Sequence, residues 1–290
     1  MNATAPWLDN AVLVYGPRKA GTTLFQNLLD GTDALAVYPA ELKLKYFVKS
    51  RPEGLLVDSY RARSRMAEVV SPHFSIERYR SLWQDNADGS LAELIRRDMA
   101  HVLAASDRRA EPKLWAAKEV GGRTDAILAE WRRLFPQGRV LFILRDPLMV
   151  TRAVLNDRRR KERELSIWQI ARETIDPLRV VATAVRHLGD SGTFAIAYED
   201  LVADTSATMR RVARFLGIPF EGVLTRPTLF GEPIVVRTAS RAERDVFRSD
   251  EKWDDGLTPR ERRIVSATTL LAGLAGLRVS YVELRRRLNA

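Results

Sequence analysis

The chain has 290 residues, 46% of them hydrophobic and 29% charged, which supports a sizeable core and argues against disorder. It has no cysteine, which excludes disulfides, thiolate zinc sites and cysteine nucleophiles, and its formal net charge of +10 favours an anionic partner: a nucleotide, a nucleic acid, an acidic polysaccharide or an anionic membrane. No segment approaches the ~20 apolar residues of a membrane helix, residues 1–10 carry neither a basic n-region nor an apolar h-region, and a reduced, cytoplasmic setting is expected.

Residues 11–15 (AVLVY) are apolar at every position, the pattern of a strand buried on both faces of a parallel sheet. Gly16 opens a loop, and a helical pattern runs from 22 to 29. A second strand is expected at 34–38, closed by Pro39, and a third at 114–118. The clearest is 139–144 (RVLFIL), after the breaker Pro136-Gln137-Gly138; a fifth is expected at 193–198. Helical patterns cover 124–134, 148–165, 167–188 and 206–216, the last stopped by Gly217 with Pro219 beyond it. This alternation predicts one α/β domain over residues 1–290. Its core is a doubly wound parallel sheet flanked by helices, with a P-loop-like nucleotide-binding loop.

Two regions break the rhythm. Residues 49–110 read as a helical insertion. Residues 222–258 are rich in Arg, Pro and Gly and suit a lid or donor-closing loop. Residues 259–288 predict two C-terminal helices, with Thr258 as N-cap before Pro259. Within them the uncharged stretch 265–277 reads as a packed helix. The arginine pairs Arg96–Arg97, Arg108–Arg109, Arg132–Arg133 and Arg262–Arg263 lie in helical patterns and read as solvated faces.

The chemistry concentrates at Gly16-Pro-Arg-Lys-Ala-Gly-Thr-Thr23, between the first strand and the first helix. Successive backbone N–H groups there can curl around an anion, and the helix dipole adds about half a positive charge. Gly21 permits close backbone approach, Thr22 and Thr23 offer hydroxyls, and Arg18 and Lys19 bring charge. The spacing approaches the nucleoside-triphosphate loop G-x-x-x-x-G-K-[ST], but Thr22 stands where its lysine belongs and the lysine sits at Lys19. A P-loop kinase or NTPase with an atypical loop, and a non-catalytic nucleotide- or nucleic-acid-binding protein, remain alternatives. An unliganded strand–helix turn would also look like this.

The run G-x-R-K-x-G-T-T resembles the 5′-phosphosulfate loop of sulfotransferases that use 3′-phosphoadenosine-5′-phosphosulfate (PAPS). Four further segments resemble that family in the same order. Leu144-Arg-Asp-Pro147 is similar to the R-[ND]-P segment whose arginine holds the donor's 3′-phosphate, which implies that role for Arg145. The serine usual eight residues later is Ala153 here, so its hydroxyl contact is missing or comes from Thr151 or Asn156. Ala197-Tyr-Glu-Asp-Leu201 with Phe215-Leu-Gly-Ile-Pro219 also matches. It places Tyr198 beside the adenine, or in the core. Tyr38-Pro-Ala-Glu-Leu-Lys-Leu-Lys-Tyr-Phe47 puts Glu41 where carbohydrate-type members carry a glutamate base, or simply at a helix start; Lys43 and Lys45 read as partly surface. Trp115-Ala-Ala-Lys-Glu119 aligns Lys118 with a lysine of the W-x-x-K setting, with Glu119-Val120 replacing the usual Thr-Pro.

The resemblance spans residues 11 to about 220 and implies a bacterial-like, glutamate-base member. It implies PAPS as donor, PAP (3′-phosphoadenosine-5′-phosphate) as product, and no metal. The acceptor is a small molecule or carbohydrate rather than a nucleic acid. Glu41, Lys19 and Lys118 are the implied catalytic residues. Arg18, Lys19, Ala20, Gly21, Thr22, Thr23, Arg145 and Tyr198 are the implied donor-binding residues. None of His73, His101 and His187 fits the histidine base of the small-molecule sulfotransferases. The cluster Arg237-Thr-Ala-Ser-Arg241 sits where the family closes over the donor.

Overall fold

The computed structural model describes residues 5–50, 60–61, 66, 69–83, 88–108, 110–122, 124–161, 164–237, 242–243, 254–277 and 281–289. In chain order the first elements are β1 (Ala11–Gly16), α1 (Thr22–Leu29), β2 (Leu35–Glu41) and α2 (Leu44–Ser50). Then come α3 (Ile76–Ser81), α4 (Leu91–Ala105), β3 (Leu114–Val120), α5 (Thr124–Leu134) and β4 (Arg139–Leu144). The remainder is α6 (Pro147–Arg160), α7 (Ile167–His187), β5 (Thr193–Ala197), α8 (Tyr198–Ala203), α9 (Thr205–Leu216), α10 (Pro259–Ala272) and α11 (Tyr281–Asn289).

The five strands form one parallel sheet in the order β2-β3-β1-β4-β5. Alternate side chains feed two cores, as the two-residue strand period requires. Val12, Val14, Leu141 and Ile143 pack on one face with Phe25 and Leu28 of α1 and Met209 and Val212 of α9. Leu13, Tyr15, Trp115 and Phe142 pack on the other with Trp131 of α5, Val181 of α7 and Met99 of α4. The strand order turns at β1, whose neighbours are β3 and β4. Its carboxyl end is therefore the crevice where open α/β sheets take ligands. The expected α/β architecture is present.

Several boundaries differ from the sequence expectation; β3, expected to end at 118, runs to Val120. β2 does not stop at Pro39 but runs on to Glu41. It is an edge strand, where a missing N–H is tolerated, and its register slips between Val37 and Glu41. β5 ends at Ala197, and Tyr198 opens α8. The helix after β4 starts at Pro147, capped by Asp146, and ends at Arg160 rather than near 165.

The uncharged stretch 265–277 is also not simply packed. Val265, Thr268 and Ala272 are buried, while Leu270, Leu271 and Leu274 are exposed. Lack of charge does not imply burial on both sides of a helix that packs through one stripe. Thr258 caps α10 as expected, in a capping box with Glu261. Among the described residues no single helix is long and apolar enough to cross a membrane.

Among its described residues the insertion holds α3 and α4, with non-helical chain at 69–75 and 106–108 joined by a bridge between Phe74 and Ser106. It is tied beneath β2 by a buried Asp98, which accepts hydrogen bonds from the hydroxyls of Tyr38 (2.9 Å), Tyr60 (2.9 Å) and Tyr79 (2.5 Å). Burial pushes the Asp98 carboxyl up to about 6 against those three donors. Residues 222–258 contain a hairpin of Thr228–Leu229 with Glu232–Pro233 and another of Val236–Arg237 with Ala242–Glu243. The cluster from Arg237 to Arg241 lies, beyond the backbone of Arg237, outside the described residues.

Candidate active site

β1 delivers Gly16 into the crevice so close to β4 that a Cβ there would clash with the Ile143 carbonyl oxygen. The chain then turns through two left-handed residues, Lys19 (φ 63°) and Gly21 (φ 92°), before α1 begins. Ala20 between them is fully buried against Val150 and Val154 of α6. Gly21 could not be replaced: a Cβ on it would sit 2.5 Å from the Tyr198 ring. The first N–H groups of α1, at Thr22 and Thr23, have no carbonyl of their own helix to bind. This is a strained, tightly packed turn with free N–H groups of the kind that can receive an anion.

The two charged side chains of the loop itself are in carboxylate pairs. Arg18 Nη2 donates to Glu173 Oε2 (2.5 Å), and Lys19 Nζ donates to Asp157 Oδ1 (3.1 Å). Glu173, on α7, is buried and also faces Arg158 (3.2 Å) and Arg172 (3.4 Å). Burial raises its carboxyl, but the Arg18 hydrogen bond and the arginine charges outweigh this and lower it. Arg145, at the end of β4, donates to the Lys19 carbonyl (3.0 Å), and its guanidinium lies over the Tyr198 ring, 4.6 Å from the centroid. Tyr198 thus touches both Gly21 and Arg145. Behind them Glu199 accepts from the Asp146 N–H (3.1 Å) and the Tyr281 hydroxyl (2.5 Å). That ties β4, α8 and α11 together.

Of the two candidates for the missing serine hydroxyl, Thr151 has its donor engaged, whereas Asn156, among the described residues, has its acceptor and not its amide donor engaged. Thr151 is buried and donates to the Pro147 carbonyl (2.8 Å). Asn156 accepts from Arg159 through its side-chain oxygen.

The second half of the site is at the ends of β2 and β3. Glu41 accepts from Lys43 Nζ (2.7 Å) and Lys45 Nζ (2.8 Å). Lys43 is buried and holds a left-handed backbone (φ 61°), a conformation uncommon outside glycine, to bring its ammonium back onto Glu41. The expectation that both lysines are partly surface holds for Lys45, whose side chain is 28% exposed, and is corrected for Lys43, which is buried: an enclosed carboxylate needs a paired cation. Burial raises the Glu41 carboxyl, but the two lysine hydrogen bonds outweigh it and hold Glu41 well below the usual carboxylate range. Lys45 also lies 3.6 Å from Glu119, which is completely buried.

Lys118 joins the halves. It is the register partner of Glu41, but it points to the α1 face, where its Nζ donates to Thr23 Oγ1 (2.9 Å). Burial lowers its ammonium group below the usual lysine range. β3 lies between β1 and β2 in the sheet, and Lys118 is the contact across it. The histidines stand elsewhere: His73 bridges Asp107 and Glu232, His187 pairs with Asp190, and His101 packs edge-on to Trp83.

Sequence reasoning missed three partners, Glu119, Glu173 and Asp157. Two had a signal. Glu119 shares a strand face with Trp115 and Ala117, and Glu173 shares a helix face with Ile170, Thr174 and Pro177. A carboxylate on an apolar face requires a partner. Asp157 sits among arginines at the end of α6 and carries no such mark.

A strained loop leading from the first strand into a helix, at the switch point of a parallel sheet, defines a P-loop-like nucleotide-binding α/β protein. The chain belongs to the sulfotransferase family, whose profile matches residues 11–222. Its fold is similar to the sulfotransferase domain from the curacin biosynthetic pathway, with a TM-score of 0.58 at 16% identity over 90% of this chain and 97% of that one. It is also similar to mouse sulfotransferase SULT7A1 complexed with PAP, with a TM-score of 0.50 at 13% identity over 97% of this chain and 87% of that one. No curated protein matches the sequence.

Proposed function

We propose that this sulfotransferase moves the sulfuryl group of PAPS to an acceptor hydroxyl, with Glu41 as general base. The observation that carries this reading is the pairing of an anion cradle with an ionised carboxylate across Lys118. One end suits a phosphosulfate and the other suits a proton leaving an alcohol. A sugar, a glycolipid or a secondary metabolite would supply that alcohol.

The loop N–H groups and Thr22 hold the 5′-phosphate. Arg145 receives the 3′-phosphate, its fork already steadied by the Tyr198 ring and the Lys19 carbonyl. The adenine is placed alongside Tyr198. Arg18 and Lys19 exchange their carboxylate partners for donor oxygens as the anion arrives. Lys19 and Lys118 face the equatorial sulfonate and the bridging oxygen. The acceptor O–H bond breaks, its proton goes to Glu41, and its electron pair forms the new O–S bond. The S–O bond to the bridging oxygen breaks in line, and its electrons leave on PAP. Positioning and charge stabilisation do most of the work.

The direct test is transfer of labelled sulfate from PAPS to a panel of sugars, glycolipids and phenolic metabolites. It is run without added metal beside an assay of ATP hydrolysis with magnesium. Transfer from PAPS supports the reading. Turnover of magnesium–ATP alone would assign the loop to a kinase or NTPase.

A further inference from the structure

Glu41 has a second carboxyl beside it. Glu119 leaves β3 on the face opposite Lys118 and is completely buried. Its carboxyl lies within hydrogen-bond reach of Glu41. Its Oε1 accepts the Val120 N–H (3.1 Å) and stands 3.6 Å from Lys45 Nζ. Its Oε2 is buried and meets no donor. Two ionised carboxylates this close repel each other, and a buried carboxylate oxygen without a donor is costly. A proton on Glu119 removes both problems, because the acid hydroxyl then donates to Glu41.

The surrounding donors decide which carboxyl carries it. Glu41 has two ammonium groups at 2.7 and 2.8 Å, whereas Glu119 has one at 3.6 Å. The other titratable groups near Glu119 are Tyr15, its register partner on β1, and Lys118, its neighbour on β3 with a side chain on the opposite face. Burial keeps the Tyr15 phenol neutral, so it adds no charge. Burial first, and the Glu41 charge second, raise the Glu119 carboxyl above the usual carboxylate range.

We propose that Glu119 is a positioning residue that carries the proton of a carboxylic acid–carboxylate pair, leaving Glu41 as the ionised member that faces the acceptor. This rests on Glu41 as the base. In turnover the acceptor's proton binds Glu41, so the pair passes from one proton to two and returns to one by release to water. Burial lowers the Lys45 ammonium, but the Glu41 hydrogen bond outweighs it and holds Lys45 above the usual lysine range, so Lys45 stays charged throughout. The acid hydroxyl of Glu119 fixes the orientation of the Glu41 carboxylate, and Lys45 clamps the two together.

The test is an infrared titration of the whole protein, comparing wild type with Glu119→Gln and Glu41→Gln. Wild type should show the carbonyl stretch of a neutral carboxylic acid at pH 7. Glu119→Gln should remove it, and Glu41→Gln should move its loss to lower pH, because the neighbouring negative charge is gone. No neutral-acid band, or a band untouched by either variant, would overturn the proposal.

The kinetic arm follows PAPS conversion to PAP with water as acceptor. Glu119→Gln keeps a donor to Glu41 and should retain turnover across pH 6–9 with a flattened alkaline limb, while Glu119→Ala should lose about tenfold, as for one positioning hydrogen bond. Equal loss in both variants with an unchanged pH profile would assign Glu119 a structural role. Glu41→Gln with full turnover would remove Glu41 as base while leaving the infrared result to stand on its own.

Discussion

The two halves of the site hold their charges differently. Around the loop the cations are on the surface: the side chains of Arg18 and Lys19 are 42% and 45% exposed, each in a salt bridge that solvent can loosen. Around Glu41 the groups are more enclosed, with Lys43 at 11%, Lys45 at 28% and Glu119 at 0%. Exposed pairs contribute little and exchange readily, whereas buried pairs are locked because breaking one strands a charge. The loop half is therefore suited to accepting an anion that comes and goes. The Glu41 half is set in advance and suited to one proton transfer.

The sharpest way to break this contrast is in the locked half. Glu41→Gln should lower turnover of PAPS by ~10²–10⁴-fold, the usual share of a general base, with PAP affinity unchanged by calorimetry. Weakened PAP binding would mean that the halves are not separable.

The locked half also rests on the Asp98 cluster beneath β2. Its folded carboxyl is raised to about 6 from 3.8. Between those values the folded protein keeps a proton that the unfolded chain has released, so stability falls as pH rises through that window and is level above it. The fall is of order 3 kcal/mol. Thermal melts of Asp98→Asn from pH 4 to 7 should lack this decline. A slope equal to wild type would mean that the network does not titrate there.

In the open half, Arg145→Ala should weaken PAP about ten- to a hundredfold, as for a hydrogen bond to a charged group, and leave the melting temperature of the free protein nearly unchanged. Equal affinity would make Arg145 a brace for Tyr198 only. The smallest effect is expected at Glu173→Gln. Freeing Arg18 from its carboxylate should tighten PAP a few-fold, because the arginine no longer has to exchange partners. Weaker binding would show that Glu173 positions Arg18 rather than competing for it.

What the sequence makes legible follows the same division. The loop is a local object. Its glycines, its place between an apolar strand and a helix, and the shifted Lys19 are contiguous, so turn chemistry and period reveal it. The sheet and its flanking helices are legible for the same reason. The Glu41 half is assembled from β2, α2 and β3, and its pairings depend on strand order and on a bulge. Pro39 looked like a strand end because its edge position is a tertiary fact. Lys43 looked partly exposed like Lys45 because only the fold encloses it. Asp98 gave no sign of its three tyrosines, which come from β2 and two parts of the insertion.

The most direct measurement is calorimetric titration of the wild-type protein with PAP and, separately, with magnesium–ATP. A PAP-binding loop braced by Arg145 and Tyr198 predicts saturable one-to-one binding of PAP without metal, and markedly weaker binding of magnesium–ATP. Tight magnesium–ATP binding with no heat from PAP would contradict it.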